Sequence, residues 1–131
     1  MTQPGTAASV PVVLFVEGDI LIRSAMAAYI RECGYEVIEA ANSDEAISLL
    51  SGDSAYIDIV FADLETPGSL DGFGLSRWIR EHRSDVRLIL AGTLQKAAQI
   101  ASDLCHEGPH LRKPYEASSL VDWIKRLRAK N

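Results

Sequence analysis

Carboxylates and a lysine lie at the ends of short apolar segments, where residue types suited to phosphate chemistry can meet. Glu17 directly follows VVLFV (12–16), and Asp63 directly follows IDIVFA (57–62). Lys113 lies near the end of the chain, in HLRKPY. A carboxylate can attack a phosphoryl group if cations neutralise the repulsion between the two anions. These residues therefore indicate a functional site at the ends of the apolar segments, and phosphoryl transfer is one reaction that such residues could perform.

Apolar segments that are typical of strands alternate with amphipathic segments that are typical of helices. The predicted strands are 12–16, 35–39, 57–62, 86–91 and a short fifth one near 109–111. Such alternation predicts right-handed crossovers and a parallel sheet covered by helices on both faces. Functional groups collect at the carboxyl ends of the strands in such a sheet, so we expect Glu17, Asp63 and Lys113 to converge.

Two of the helical segments carry local signals. Asn42 followed by Glu45 resembles a capping box, which predicts that a helix begins there. His82 is expected to end the apolar stripe of a later helix at the surface.

Length and composition bound the class of protein. The 131 residues, 47% hydrophobic and 24% charged, fit a single domain, which we place at 12–131 after a flexible lead at 1–11. The net charge of -5 argues against direct binding to nucleic acid. No apolar run approaches the ~20 residues of a membrane helix, so we expect no membrane contact and a cytoplasmic location. We expect Cys33 and Cys105 to be reduced thiols.

Three motifs, VLFVEGD, DLETPGSLDG and RKPY, together resemble the receiver domain of bacterial two-component response regulators over residues 12–129. The resemblance implies a flavodoxin-like α/β fold: a doubly wound, five-stranded parallel sheet of order 2-1-3-4-5 with helices on both faces. It implies that Asp63 is the phosphoacceptor and Lys113 the phosphate-binding lysine. It also implies a Mg²⁺ site formed by Glu17, Asp63 and the backbone carbonyl of Glu65. Lys113 precedes a proline; the family habit raises the prior for a cis bond there, and the sequence leaves cis and trans open.

The chain departs from this family at two positions. Gly18 replaces the second acid of the usual pair, and this replacement is expected to weaken Mg²⁺ binding. Asp19 is either a substitute ligand or the N-cap of the first helix, and the N-cap is the favoured interpretation. Gly92 replaces the switch hydroxyl, a role that Thr93 takes only if the loop is shifted by one residue. His110 occupies the position of the aromatic switch residue, where an idle histidine is the favoured interpretation. We expect a small conformational response to phosphorylation.

The resemblance implies a role in signalling rather than an enzyme. We expect a stand-alone regulator that receives a phosphoryl group on Asp63 from a histidine kinase or phosphotransfer protein. A downstream protein would bind the face made by helix 4, strand 5 and helix 5, and a homodimer is left open. The alternative is a degenerate receiver that acts as a phosphorylation-independent interaction module. An aspartate-nucleophile phosphatase is disfavoured, because the second aspartate of the D-x-D motif and a cap domain are missing.

Overall fold

The computed structural model describes residues 10–52, 56–107 and 117–129. Within these ranges, four strands alternate with helices, and a fifth helix follows. The strands are β1 (Val12–Val16), β2 (Glu36–Ala40), β3 (Ile59–Asp63) and β4 (Arg87–Ala91). The helices are α1 (Ile20–Glu32), α2 (Ser43–Ser51), α3 (Gly72–His82), α4 (Leu94–Glu107) and α5 (Ala117–Ala129).

The four described strands form one parallel sheet of order β2-β1-β3-β4. This order confirms the predicted flavodoxin-like arrangement for the strands that the structure describes. The predicted limits of β2, β3 and β4 differ by one or two residues from those observed. The expected fifth strand at 109–111 lies outside the described residues.

Helices cover both faces of the sheet, as predicted. Side chains alternate along β1, so that Val13 and Phe15 pack with α1, α4 and α5, whereas Leu14 and Val16 pack with α2 and α3. The rings of Phe15 and Phe61 meet edge to face, with their centroids 5.1 Å apart. No helix in the described part of the chain has both the length and the apolar character that a membrane span requires.

Three helices that begin just after a strand or loop at the carboxyl edge of the sheet have an Asp or Asn side chain as their N-cap. Asp19 caps α1, Asn42 caps α2 and Asp71 caps α3. The predicted capping box of α2 is confirmed: Asn42 Oδ1 accepts the Glu45 N–H at 2.8 Å, and Glu45 Oε1 accepts the Ala41 N–H at 2.8 Å.

The two cysteines form a disulfide, so the expectation of reduced thiols is wrong. Cys33 ends α1 and Cys105 lies in the last turn of α4, with their Cα atoms 5.1 Å apart and both side chains fully buried. The 72-residue separation gave no sign of this contact. It arises because α1 and α4 pack on the same face of the sheet.

Candidate functional site

A cavity of ≈ 90 Å³ opens where β1, β3 and β4 end. Glu17 after β1, Asp63 at the end of β3, and Gly92 and Thr93 after β4 line it, above an apolar floor. Four of the residues expected at the site are therefore brought together. The parallel sheet explains this, because it places the carboxyl ends of neighbouring strands along one edge.

Asp63 is held by the turn that follows it. Its Oδ1 accepts the Glu65 N–H at 3.1 Å, and its carbonyl accepts the Thr66 N–H at 3.1 Å and the Thr66 hydroxyl. Among the described residues, Oδ2 accepts no hydrogen bond. The half-buried carboxylate is therefore oriented through Oδ1.

Glu17 forms the opposite acidic wall of the cavity. Its Oε2 accepts the Asp19 N–H at 3.0 Å. Burial raises the pKa of Glu17, a hydrogen bond from the Asp19 backbone opposes this rise, and the negative charge of Asp63 adds to it. Glu17 and Asp63 therefore lie close enough for their negative charges to repel each other. A cation bound between them would reduce this repulsion.

Asp19 caps α1, which confirms the favoured interpretation. Its Oδ1 accepts the N–H groups of Leu21 at 2.9 Å and Ile22 at 3.2 Å, and its Oδ2 pairs with the guanidinium of Arg128. Burial raises the pKa of Asp19, but the hydrogen bonds from Arg128 and from the start of α1 outweigh it, so the pKa lies below its usual value. Both carboxylate oxygens therefore have protein partners, and a role for Asp19 as a metal ligand stays untested.

A side chain at position 18 would crowd Pro67. A Cβ built on Gly18 would lie 2.9 Å from Cγ and 3.4 Å from Cδ of Pro67, and 3.7 Å from the Ala41 carbonyl oxygen. The proline ring therefore occupies the space into which a second acid would extend. The sequence contains Pro67 in the DLETPGSLDG motif, but the motif does not reveal that contact.

The space beside Gly92 is bounded by the end of one flexible side chain. A Cβ at this position would lie 3.0 Å from Cδ1 of Leu64. The neighbouring Thr93 lines the cavity, but its Oγ1 accepts the Lys96 N–H at 3.1 Å in the first turn of α4. The Thr93 hydroxyl is thus engaged in capping α4.

Two predicted site residues, Lys113 and His110, lie outside the described residues, as does the Lys113–Pro114 bond. Sequence reasoning also missed Arg128. Its partner Asp19 is 109 residues away, and an arginine near the end of an amphipathic helix carries no local signal of such a pair.

The donor set fits Mg²⁺ in number, although it is small. This ion keeps several waters and is commonly held by one or two carboxylates, which Glu17 and Asp63 supply. In the described ranges no group of three or more His, Cys, Asp or Glu residues could hold a metal. A metal at this site would therefore depend on two carboxylates, backbone oxygen and water.

Residues 13–125 match the response regulator receiver domain family. The transcriptional regulatory protein AruR of Pseudomonas aeruginosa is 34% identical over 125 residues, which cover 92% of this chain and 50% of AruR. The transcriptional regulatory protein ResD of Bacillus subtilis is 29% identical over 115 residues, which cover 88% of this chain and 47% of ResD. The chain thus spans about half the length of these relatives.

Solved structures agree with the fold. A response regulator receiver domain protein from Clostridium thermocellum is similar with a TM-score of 0.61 and 22% identity, covering 93% of this chain and all of that one. The receiver domain of the hybrid histidine kinase CckA is 33% identical with a TM-score of 0.51, covering 60% of this chain and 72% of that one. The family match, the strand order and the acidic strand ends agree, and the protein belongs to the response regulator receiver domain family.

Proposed function

We propose that this receiver accepts a phosphoryl group on Asp63 from a histidine kinase or a phosphotransfer protein. Phosphorylation on aspartate is general for the family. The observation that carries the assignment is the position of Asp63 at the end of β3, in one cavity with Glu17 and beside the end of β4. Asp58, near the start of the same strand, accepts the Val12 N–H at 2.8 Å instead.

The proposed step is an in-line displacement at phosphorus. Oδ2 of Asp63 forms the new P–O bond while the P–N bond to the donor histidine breaks, and the electron pair of that bond returns to the imidazole. The Glu65 N–H holds Oδ1 at 3.1 Å and so fixes the plane of the attacking carboxylate. A carboxylate that is already held by a hydrogen bond loses less orientational freedom when it reacts than a freely rotating one. This lowers the entropic part of the activation barrier.

Receiver domains generally bind Mg²⁺ for this reaction. At this site Glu17, Asp63 and the Glu65 carbonyl would hold the ion, which would neutralise charge between the carboxylate and the phosphoryl oxygens. Lys113 is proposed to supply a second positive charge on the phosphoryl group. With Gly18 in place of an acid, we propose that the affinity for Mg²⁺ is low.

The test is incorporation of one phosphoryl group from an acyl phosphate donor in Mg²⁺, measured by intact mass. Wild-type protein and the control variant Asp58→Asn should each gain one group, whereas Asp63→Asn should gain none. Asp58→Asn keeps an oxygen acceptor for Val12 and leaves the cavity unchanged, so it is a matched control. An adduct that persists in Asp63→Asn would remove the assignment.

A second candidate function is a phosphorylation-independent interaction module. The crowding at Gly18 favours it, because a Cβ at this position would lie 2.9 Å from Pro67 Cγ. Wild-type protein that gains no phosphoryl group at saturating donor and Mg²⁺ would support this alternative.

Receiver domains are signalling domains that interact with kinases or phosphotransfer proteins. We extend this to a downstream protein that binds the face of α4 and α5, together with the fifth strand predicted at 109–111, which lies outside the described residues; we leave a homodimer open. A cytoplasmic location is part of the same proposal. Disulfides are rare in that compartment, but Cys33 and Cys105 are fully buried, so a reductant reaches them only when the chain opens.

A further inference from the structure

The loop that follows the proposed acceptor is fastened to the start of α2. We call residues 64–71 the acceptor loop. Ser43 is fully buried, its Oγ accepts the Leu70 N–H at 3.0 Å, and its own N–H donates to the Pro67 carbonyl at 2.8 Å. One residue of α2 thus binds the acceptor loop at two points.

Two further contacts strengthen this attachment. Asp44 Oδ2 accepts the Ser69 N–H at 3.1 Å. Gly68 has a φ of 114° and passes so close to α2 that a Cβ there would lie 2.4 Å from Ser43 Oγ. Only glycine combines that backbone conformation with so close an approach.

These side chains are not needed to begin the helix. Asn42 already caps α2, and Glu45 completes the capping box. The Ser43 hydroxyl and the Asp44 carboxylate accept hydrogen bonds from the loop, and neither of these bonds goes to the backbone of α2. Their role therefore lies in the position of the loop.

The acceptor loop carries the groups that surround Asp63. It includes Glu65, whose N–H binds Asp63, and Pro67, whose ring closes the space at Gly18. The two ends of the loop are joined by a hydrogen bond from the Gly72 N–H, at the start of α3, to the Leu64 carbonyl at 3.0 Å. A shift of the loop relative to α2 would therefore move these groups together.

We propose that Ser43 and Asp44 are positioning residues for phosphoryl transfer to Asp63: they set the distance of the acceptor loop from the β1 end of the cavity. This inference rests on the proposed function, since it assigns the two residues a role in that reaction. Neither residue touches the phosphoryl group; both act through the loop.

The experiment compares Ser43→Ala and Asp44→Ala with Ser48→Ala, a control at an exposed serine of the same helix. Hydrogen exchange of the Ser69 and Leu70 amides reports the attachment of the loop, and the rate of phosphorylation by an acyl phosphate reports the chemistry. Loss of one hydrogen bond corresponds to up to about tenfold in each measurement. We expect faster exchange and slower phosphorylation, each by about three- to tenfold, in both test variants and neither in Ser48→Ala. Asp44→Asn keeps the acceptor oxygen and should stay within about twofold of wild type.

Each outcome decides the proposal. Faster exchange with a phosphorylation rate equal to that of Ser48→Ala would show an attachment without a positioning role and overturn the inference. Unchanged exchange would show that these side chains do not attach the loop to α2. If Asp44→Asn behaves like Asp44→Ala, the hydrogen bond from the Ser69 N–H is not the cause of the effect. Wild-type protein that takes up no phosphoryl group would overturn the proposed function and the positioning role with it, whereas a slow test variant beside an active wild type supports both.

Discussion

Placing an acid at position 18 distinguishes two consequences of the glycine. Either the glycine only removes a metal ligand, or it also makes room for the ring of Pro67. In Gly18→Asp the new Cβ lies 2.9 Å from Pro67 Cγ, and the contact must open to at least 3.4 Å to become ordinary. The proline ring has no freely rotating bond, and the Ser43 N–H binds the Pro67 carbonyl at 2.8 Å, so the contact opens through a change of ring pucker or a shift of the loop. Overpacking of this kind costs about 1–3 kcal/mol.

The gain from the substitution is of the same size. A charged ligand contributes on the order of 1–3 kcal/mol to Mg²⁺ binding. In the metal-free protein the loop can relax away from Asp at position 18, but drawing that carboxylate to the metal closes the contact again. We therefore expect Gly18→Asp alone to change the affinity for Mg²⁺ by less than about threefold and to lower the free energy of unfolding by about 1–3 kcal/mol.

A double-mutant cycle with Pro67→Ala separates the two effects. The alanine removes Cγ and Cδ, so Gly18→Asp should tighten Mg²⁺ by about tenfold or more in this background, with a coupling of roughly 1–2 kcal/mol. Calorimetric titration gives the affinities, and urea unfolding in chelator gives the stabilities. Tenfold tighter binding by Gly18→Asp with Pro67 intact and no loss of stability would refute the reasoning.

Three other perturbations test separate parts of the structure. Gly92→Ser should enlarge the change in hydrogen exchange of α4 that follows phosphorylation. The effect should be larger together with Leu64→Ala, which removes the atom 3.0 Å from the new Cβ. An unchanged response would show that the hydroxyl is dispensable. Reduction of the Cys33–Cys105 disulfide should lower the free energy of unfolding by about 2–4 kcal/mol in urea titrations, whereas two thiols titrated in denatured protein purified without reductant would contradict the bond. The pKa of Glu17 in the folded state is raised above 4.5, so ionisation of Glu17 opposes folding as the pH rises past that value. In chelator, Glu17→Gln should therefore be more stable than wild type at pH 7 and lose this advantage below about pH 4.5. Equal stabilities at pH 7 would contradict the raised pKa.

The features that the sequence predicted correctly depend on local patterns. Alternating apolar periods indicated the strands and helices, and the spacing from Asn42 to Glu45 indicated where α2 begins. The convergence of Glu17 and Asp63 followed from the parallel sheet, which places successive strand ends along one edge. The disulfide between Cys33 and Cys105 and the pair between Asp19 and Arg128 could not be predicted in this way, because each joins residues that meet only after helices pack.

The two glycines show a different limit, which concerns what a missing side chain means. From the sequence, Gly18 and Gly92 appear as lost functional groups at an otherwise typical site. In the structure the space beside each is taken by a residue of the acceptor loop, Pro67 at one and Leu64 at the other. At Gly18 the atom in the way belongs to the ring of Pro67, so a larger residue there must displace part of the acceptor loop, which α2 holds. At Gly92 the nearest atom is the Leu64 Cδ1 methyl at 3.0 Å, which a change of rotamer can move. The two glycines therefore differ: Gly18 is tied to the position of the loop, whereas Gly92 is bounded by the end of one flexible side chain.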